Sequence, residues 1–443
     1  LIRSIKNEGD NVIKNVKLND VHCDSKEDAT VDAIGSLVGY VETTGKIDFE
    51  LDNVGEVQID VEKDYVGGLV GQIAKATDVT IKKSTVANDV YGTGYIEGVN
   101  YVGGLIGQAV SAERINSITI EDSRVEMGKN IDASGAYVGG LIGDVDAKTI
   151  TVTNDKVRVK GNISTDGSYA GGLFGNVVAD NLELTANSPS TVNVTGAIKA
   201  GNQYAGGLIG YSNVGVQRLL NATVKAGKVS AENGYVGGEV GYLYGGVTRI
   251  GTYVANETTN LVTNINIGTL AGAYAVGGLV GSNDENATVY VLADYCKDDP
   301  AYENGSFIDI KITKFENTKG DNQVDAEAYY KVIQDGQNKL AGTFSNVLGM
   351  LYGPLYINDE LLTVEDNLQS EMKKAIGYQT RLDGLPTYTE GARLFWGDYR
   401  GYVGAGKSGK YFICTESAAS KIVSSATAIV GDQAGSLMGY NLY

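Results

Sequence analysis

Short runs in which apolar and polar residues alternate recur along most of the chain. Val79-Thr80-Ile81, Ile118-Thr119-Ile120, Ile150-Thr151-Val152, Leu182-Glu183-Leu184 and Ile265-Asn266-Ile267 each place neighbouring side chains on opposite sides of the backbone. Period two, with β-branched residues and Gly, Asn or Asp at the bounds, is the pattern of a strand with one buried face. In several places a second run follows, as in Val157-Arg158-Val159 and Val192-Asn193-Val194. A glycine or polar turn then leads to a tyrosine.

That tyrosine opens a repeated text. Tyr65-Val66-Gly67-Gly68-Leu69-Val70-Gly71 returns from Tyr101 to Gly107, Tyr137 to Gly143, Tyr169 to Gly175, Tyr204 to Gly210 and Tyr235 to Gly241. A seventh copy, with one residue inserted after Tyr274, runs to Gly281. The leading glycines Gly67, Gly103, Gly139, Gly171, Gly206, Gly237 and Gly277 are 36, 36, 32, 35, 31 and 40 residues apart. A near-constant period of this size marks a repeat architecture whose units bury their apolar faces only against one another.

Each period supplies roughly three short strands, which predicts an all-β chain folded as a parallel β-helix with one coil per repeat. Seven to nine coils at about 4.8 Å per rung make a rod on the order of 40 Å long. A β-propeller is the alternative, but its blades are longer and hold four strands. Stacking gives the repeated residues their roles. Leu69, Leu105, Leu141, Leu173, Leu208 and Leu279 form an interior column, and the tyrosines from Tyr65 to Tyr235 stack on one another. The pairs Gly67-Gly68, Gly103-Gly104, Gly139-Gly140, Gly171-Gly172, Gly206-Gly207, Gly237-Gly238 and Gly277-Gly278 turn a corner or admit a close backbone approach. Glu239 stands where the sixth copy should have leucine, and marks an irregularity or a site.

The ends carry worn copies, Ile34 to Tyr40 and Gly435 to Tyr440, as capping an open array requires. Between Gly281 and Gly435 the repeat disappears. Thr363 to Ile376 reads as a helix, with Thr363-Val364-Glu365-Asp366 as capping box and Gly377 just past its end. The expected organisation is therefore a β-helix over 1–289, an irregular α+β domain or insertion over 290–416, and repeat-like strands over 417–443.

Composition narrows the setting. Sixty glycines against four prolines, and 28 tyrosines against seven phenylalanines, suit short strands and tight turns. A formal charge of -18 argues against nucleic acid, which needs clustered Lys and Arg, and against anionic membrane surfaces. It fits an extracellular or cell-surface life. No run of about 18 apolar residues forms a membrane span. Cys23, Cys296 and Cys414 lie far apart, so at most one disulfide forms and no zinc ribbon is written. Leu1 to Lys6 has neither a secretory signal nor an initiator Met, as expected of a mature or trimmed chain. Six glycosylation sequons, at Asn162, Asn193, Asn221, Asn256, Asn286 and Asn304, allow glycosylation without implying it.

The Tyr-Val-Gly-Gly-Leu-x-Gly copies resemble GLUG repeats, the Gly-Gly-Leu-x-Gly element of bacterial surface proteins. These include adhesin-like proteins and noncatalytic parts of some immunoglobulin-A-cleaving peptidases. The resemblance covers about 30 to 281 and the two worn ends. It implies a secreted or surface-attached stalk or adhesin, whose partners are other protein subunits or cell-surface glycans. The peptidase half of that family is not visible, because the zinc motif H-E-x-x-H needs two histidines and His22 is the only one.

One histidine also excludes Ser-His-Asp and Cys-His machinery. Gly401-Tyr402-Val403-Gly404-Ala405-Gly406-Lys407-Ser408 fits the phosphate-loop pattern, but Tyr411-Phe412-Ile413-Cys414 reads as strand where a helix must follow. No cofactor is called for. Calcium at Asn283-Asp284-Glu285-Asn286 or Lys297-Asp298-Asp299 is the one metal candidate, with solvated turns the stronger reading. Trp396, Asp398, Tyr399, Arg400 and Tyr402 form an aromatic and charged cluster of the kind that binds a glycan or a protein, or else makes the core of its own domain. Three functions follow in order: an extracellular adhesive stalk without catalysis, a filament or surface-layer subunit joined through repeat-like ends, and a carbohydrate-active enzyme. For the last, 54 acids offer no way to choose a pair.

Overall fold

The computed structural model describes residues 1–292 except 26–31, 88–92, 185–188, 221, 252–261, 274 and 285. Beyond these it describes the strand segments 307–317, 323–324, 348–351, 355–357, 360–361, 410–414, 422–425, 428–430, 434–435 and 438–441. Among the described residues there is no helix, and the chain is a parallel β-solenoid. The helix expected at 363–376 lies outside the described residues. Blades of a propeller are antiparallel, whereas among the described residues all strand pairings are parallel except two short ones involving 323–324 and 360–361.

Among the described residues three sheets run along the solenoid, with nine, nineteen and seventeen strands. Sheet I is built from the three-residue Tyr-x-Gly strands. Its register runs Ala33, Tyr65, Tyr101, Tyr137, Tyr169, Tyr204, Tyr235 and Ala275, one residue per coil. The Gly-Leu corner leads into sheet II and the alternating runs into sheet III. The worn C-terminal copy takes its rung, with Gly435 opposite Gly277 and Met438 opposite Val280.

The glycine pair makes the corner between sheets I and II. A Cβ on Gly67 would strike the carbonyl oxygen of Val70 in its own coil, and one on Gly68 would strike the carbonyl of Gly104 in the next. Gly104, Gly140, Gly172, Gly207 and Gly238 repeat the second relation down the column. One glycine thus closes the turn and the other sets coil-to-coil spacing, so neither tolerates a side chain.

The second corner, between sheets II and III, uses different chemistry. Asn15, Leu51, Lys83, Asp122 and Asn154 adopt left-handed conformations with φ between 50° and 59°. In four of these coils the next residue is a buried polar one: Asp52, Ser84, Ser123 and Asp155. Asp52 Oδ1 accepts from the Val16 amide at 2.8 Å, Ser84 Oγ from Asp52 at 3.4 Å, Ser123 Oγ from Ser84 at 3.3 Å and Asp155 Oδ1 from Ser123 at 2.6 Å. Each side chain satisfies the turn amide of the coil before it, which a tight corner otherwise leaves without a partner.

The interior is a set of columns. Leu37, Leu69, Leu105, Leu141, Leu173, Leu208 and Leu279 are all fully buried, as the repeat required. Ile47, Val79, Ile118, Ile150 and Leu182 stack in a second column that turns polar at Gln217 and Thr248.

Strand pairing crosses residue 290, where composition changes. Phe307–Asn317 stacks on Val262–Gly272 in sheet III, and Lys410–Cys414 stacks on the 288–292 rung in sheet II. Two segments stack out of chain order. Leu348–Leu351 lies on Met438–Asn441, and Leu355–Ile357 on Lys410–Cys414. They pair with the far side of the last sheet II strands, so the edge beyond Met438–Asn441 is presented by Leu348–Leu351 instead.

Candidate functional site

The cluster Trp396, Asp398, Tyr399, Arg400 and Tyr402 lies outside the described residues, as do Cys296 and the turn at Lys297-Asp298-Asp299. Lys410–Cys414, which follows the phosphate-loop pattern, is a strand, so no helix N-terminus is offered there. His22 is exposed on the edge rung His22–Ser25. Cys23, beside it, is half-buried, and burial raises its thiol. At the other proposed calcium turn, Asp284 Oδ2 accepts from the Tyr242 hydroxyl at 3.1 Å and its Oδ1 from the Asn286 side-chain amide at 3.2 Å. Among the described residues no group of three metal-binding side chains converges.

What the stacking does assemble is a tyrosine-lined corner between sheets I and II. Tyr65, Tyr101, Tyr137 and Tyr169 stack with ring centroids 5.1, 4.9 and 4.6 Å apart and planes within 7° of parallel. Tyr204 tilts by 31° against Tyr169, and Tyr235 follows at 6.0 Å. Seven residues after each tyrosine, sheet II presents a side chain to the same corner: Gln72, Gln108, Asp144, Asn176, Tyr211 and Tyr242, in register. Gln72 donates to Gln108 at 3.0 Å, Gln108 to Asp144 Oδ2 at 2.9 Å and Asn176 to Asp144 Oδ1 at 2.7 Å.

Asp144 is thus the acceptor at which a line of amides converges. It is 8% exposed, and burial raises its carboxyl against the pull of its two amide donors. Burial, with the neighbouring phenols and Asp144, pushes Tyr137 up to about 12, so its hydroxyl is neutral across the physiological range. Toward the C-terminal coils the amides give way to rings. Tyr211 and Tyr242 stack at 5.7 Å and lean on Tyr204 at 5.3 and 5.2 Å, with Tyr244 47% exposed beside them. The column's ring faces are taken up by one another, and its outer edges meet solvent.

A second line lies on the outside of sheet III. Asp24, Asp60, Glu97 and Asp132 occupy one register position in four successive coils. Glu97 is raised by burial and by its neighbours Asp132 and Asp60, with Lys129 opposing. Asp132 is raised by burial, while Ser164 and Asn130 donate to it and pull it back. Ser164 and Lys199 continue the line and end the run of acids.

Neither line was singled out from sequence, although a signal for both was present. The four acids lie 36, 37 and 35 residues apart, close to the coil period, and the amides stand at a constant seven residues after the tyrosine. Their chemical variety hid them. Glu239, which was singled out, is fully buried, and neither carboxylate oxygen has a partner.

No protein-family model, no curated protein and no solved structure matches the chain. The likeness to GLUG repeats therefore stays a resemblance of motif.

Proposed function

We propose that the chain is an extracellular structural and adhesive protein, a β-solenoid stalk with no catalysis of its own. One observation carries the reading: stacking uses up the repeated text. The tyrosine packs on the tyrosine of the next coil, the glycines close the corner and set the coil spacing, and the leucine fills the interior column. A text whose repeated positions are all used in stacking specifies a rod rather than a reaction centre. The charge of -18 keeps a long acidic surface apart from its own copies and from nucleic acid. Partners of the expected kind are cell-surface glycans or other protein subunits, met along the tyrosine corner. End-to-end joining through the repeat-like ends is the alternative; it would require free strands at both ends, and at the C-terminal end the strand outside Met438–Asn441 in sheet II is Leu348–Leu351.

Immunogold labelling of intact producing cells with antibody to residues 1–284, alongside a glycan array probed with the whole chain, tests the proposal. Surface label and a saturable glycan or matrix ligand support it. Label only after lysis, with no bound ligand, sinks it.

A carbohydrate-active enzyme is the second reading, and the line of acids favours it. Asp60 and Glu97 share one register position on adjacent rungs, whose backbones lie about 4.8 Å apart. That spacing is comparable to the roughly 5 Å between the carboxyl groups of retaining glycosidases, and burial with the neighbouring acids raises Glu97. Release of reducing ends from a polysaccharide panel, lost in Glu97→Gln, would establish it; no turnover on the panel removes it.

A further inference from the structure

Beyond the stalk itself, the tyrosine column has a geometry suited to covalent chemistry. In-register pairing places chemically equivalent atoms of Tyr65, Tyr101, Tyr137 and Tyr169 above one another, at ring separations of 4.6 to 5.1 Å. The rings are half-buried, with edges reachable from solvent. We propose that this column is a modification site, at which a one-electron oxidant, hydrogen peroxide acting through a peroxidase, couples rings of successive coils into dityrosine.

The step balances. Two tyrosines each lose one electron and the phenolic proton, giving two neutral phenoxyl radicals. A bond forms between the ring carbons ortho to the two oxygens, and the hydrogen on each of these carbons shifts to its oxygen, restoring two phenols. Hydrogen peroxide takes up the two electrons and two protons and becomes two waters.

Three features favour coupling within the column. Reacting rings are neighbours before oxidation, so no diffusive encounter is needed and the effective concentration of the partner is high. Stacking confines a radical between aromatic faces. The Tyr169–Tyr204 tilt of 31° shows that rings in the column can depart from parallel stacking, as joining two ortho carbons requires. The links would join residues 36, 36 and 32 apart, one coil to the next, and so restrict the unfolded chain as a disulfide does. Cysteine is scarce by comparison, with only three in the chain, and the two described ones lie in register with Ile59 and Leu292.

The test treats the dilute whole chain with a haem peroxidase and hydrogen peroxide, and in parallel with a small photochemical one-electron oxidant that needs no docking. Dityrosine is read by its blue emission, by gel, and by mass spectrometry of linked peptides. The expected result is dityrosine in the monomer band joining Tyr65–Tyr101, Tyr101–Tyr137 and Tyr137–Tyr169, with a raised thermal midpoint. Tyr137→Phe keeps the ring and the stack but removes the phenol. Its midpoint before oxidation should match the parent, and it should lose two of these three links while keeping Tyr65–Tyr101. The proposal is overturned if neither oxidant forms dityrosine in the monomer. It is equally overturned if the links fall outside the column or only between molecules, or if Tyr137→Phe yields as much as the parent.

Discussion

Glu239 and Leu279 occupy successive rungs of one interior column, joined by the Glu239 amide donating to the Leu279 carbonyl at 2.9 Å. The Leu208 amide in turn donates to the Glu239 carbonyl at 2.8 Å. The backbone treats the glutamate as another leucine while its carboxyl sits fully buried without a partner. Burial alone pushes that carboxyl from 4.5 up to about 8.

A carboxyl with a raised folded value binds its proton more tightly in the folded state. The contribution of Glu239 to stability is therefore greatest in acid, falls as pH rises from 4.5 toward about 8, and is level above that. The slope contributed by Glu239 is about 1.4 kcal/mol per pH unit. Glu239→Leu should abolish this part of the dependence and raise stability by several kcal/mol at alkaline pH. Urea unfolding across the pH range measures it, and superimposable curves for the two proteins would refute the assignment.

Removing a ring from the middle of the tyrosine column should cost more than removing one at its end. Tyr137→Ala loses two stacked neighbours, at 4.9 and 4.6 Å, and should destabilise by about 1–3 kcal/mol. Tyr65→Ala loses one ring neighbour, since Ala33 is on its other side, and should cost about half as much. Equal losses in chemical denaturation would mean that stacking contributes nothing beyond burial.

Leu51 holds a left-handed conformation at φ 58° and is 43% exposed. Its Cβ crowds the following carbonyl there, whereas Asn tolerates the same backbone in the equivalent Asn15 and Asn154 turns. Leu51→Asn should stabilise the chain by about 0.5–1 kcal/mol. A lower thermal midpoint in the variant would show that the leucine makes a contact outweighing the backbone strain.

At the second corner, Asp155 accepts from the amides of Ser123 at 2.6 Å and Thr153 at 3.2 Å, yet burial pushes its carboxyl up to about 8. Asp155→Ala takes the side-chain acceptor from the buried Ser123 amide and should cost about 1–3 kcal/mol. Asp155→Ser, which repeats Ser84, Ser123 and Ser190 in the same column, should be tolerated and should flatten the stability-pH curve between 3.8 and about 8. Equal destabilisation by Ala and Ser would show that the hydroxyl cannot replace the carboxylate.

The architecture was legible because its determinants are local and repeated. Period-two alternation, Tyr-x-Gly-Gly-Leu and its spacing name the strands, the corner and the coil. Once the coil length is known, Tyr65 must meet Tyr101 and Leu69 must meet Leu105. The left-handed corner was not legible, since Leu51, Lys83, Asp122 and Asn154 share no chemistry. Their common feature is a φ value, and the buried partner that follows in each coil bonds to a different coil.

By itself, then, the sequence determined the period, the strands and the columns made of a repeated residue. Tertiary structure alone decided the lines made of unlike residues. Gln72, Gln108, Asp144 and Asn176 become a hydrogen-bonded series, and Asp24, Asp60, Glu97 and Asp132 a run of acids, only when stacking brings residues a coil apart to about 4.8 Å. Tertiary structure also set Leu348–Leu351 and Leu355–Ile357 on the last sheet II strands out of chain order. A strand edge selects its partner by free amides and carbonyls, which every residue but proline carries alike, and no pattern of side chains announces that choice.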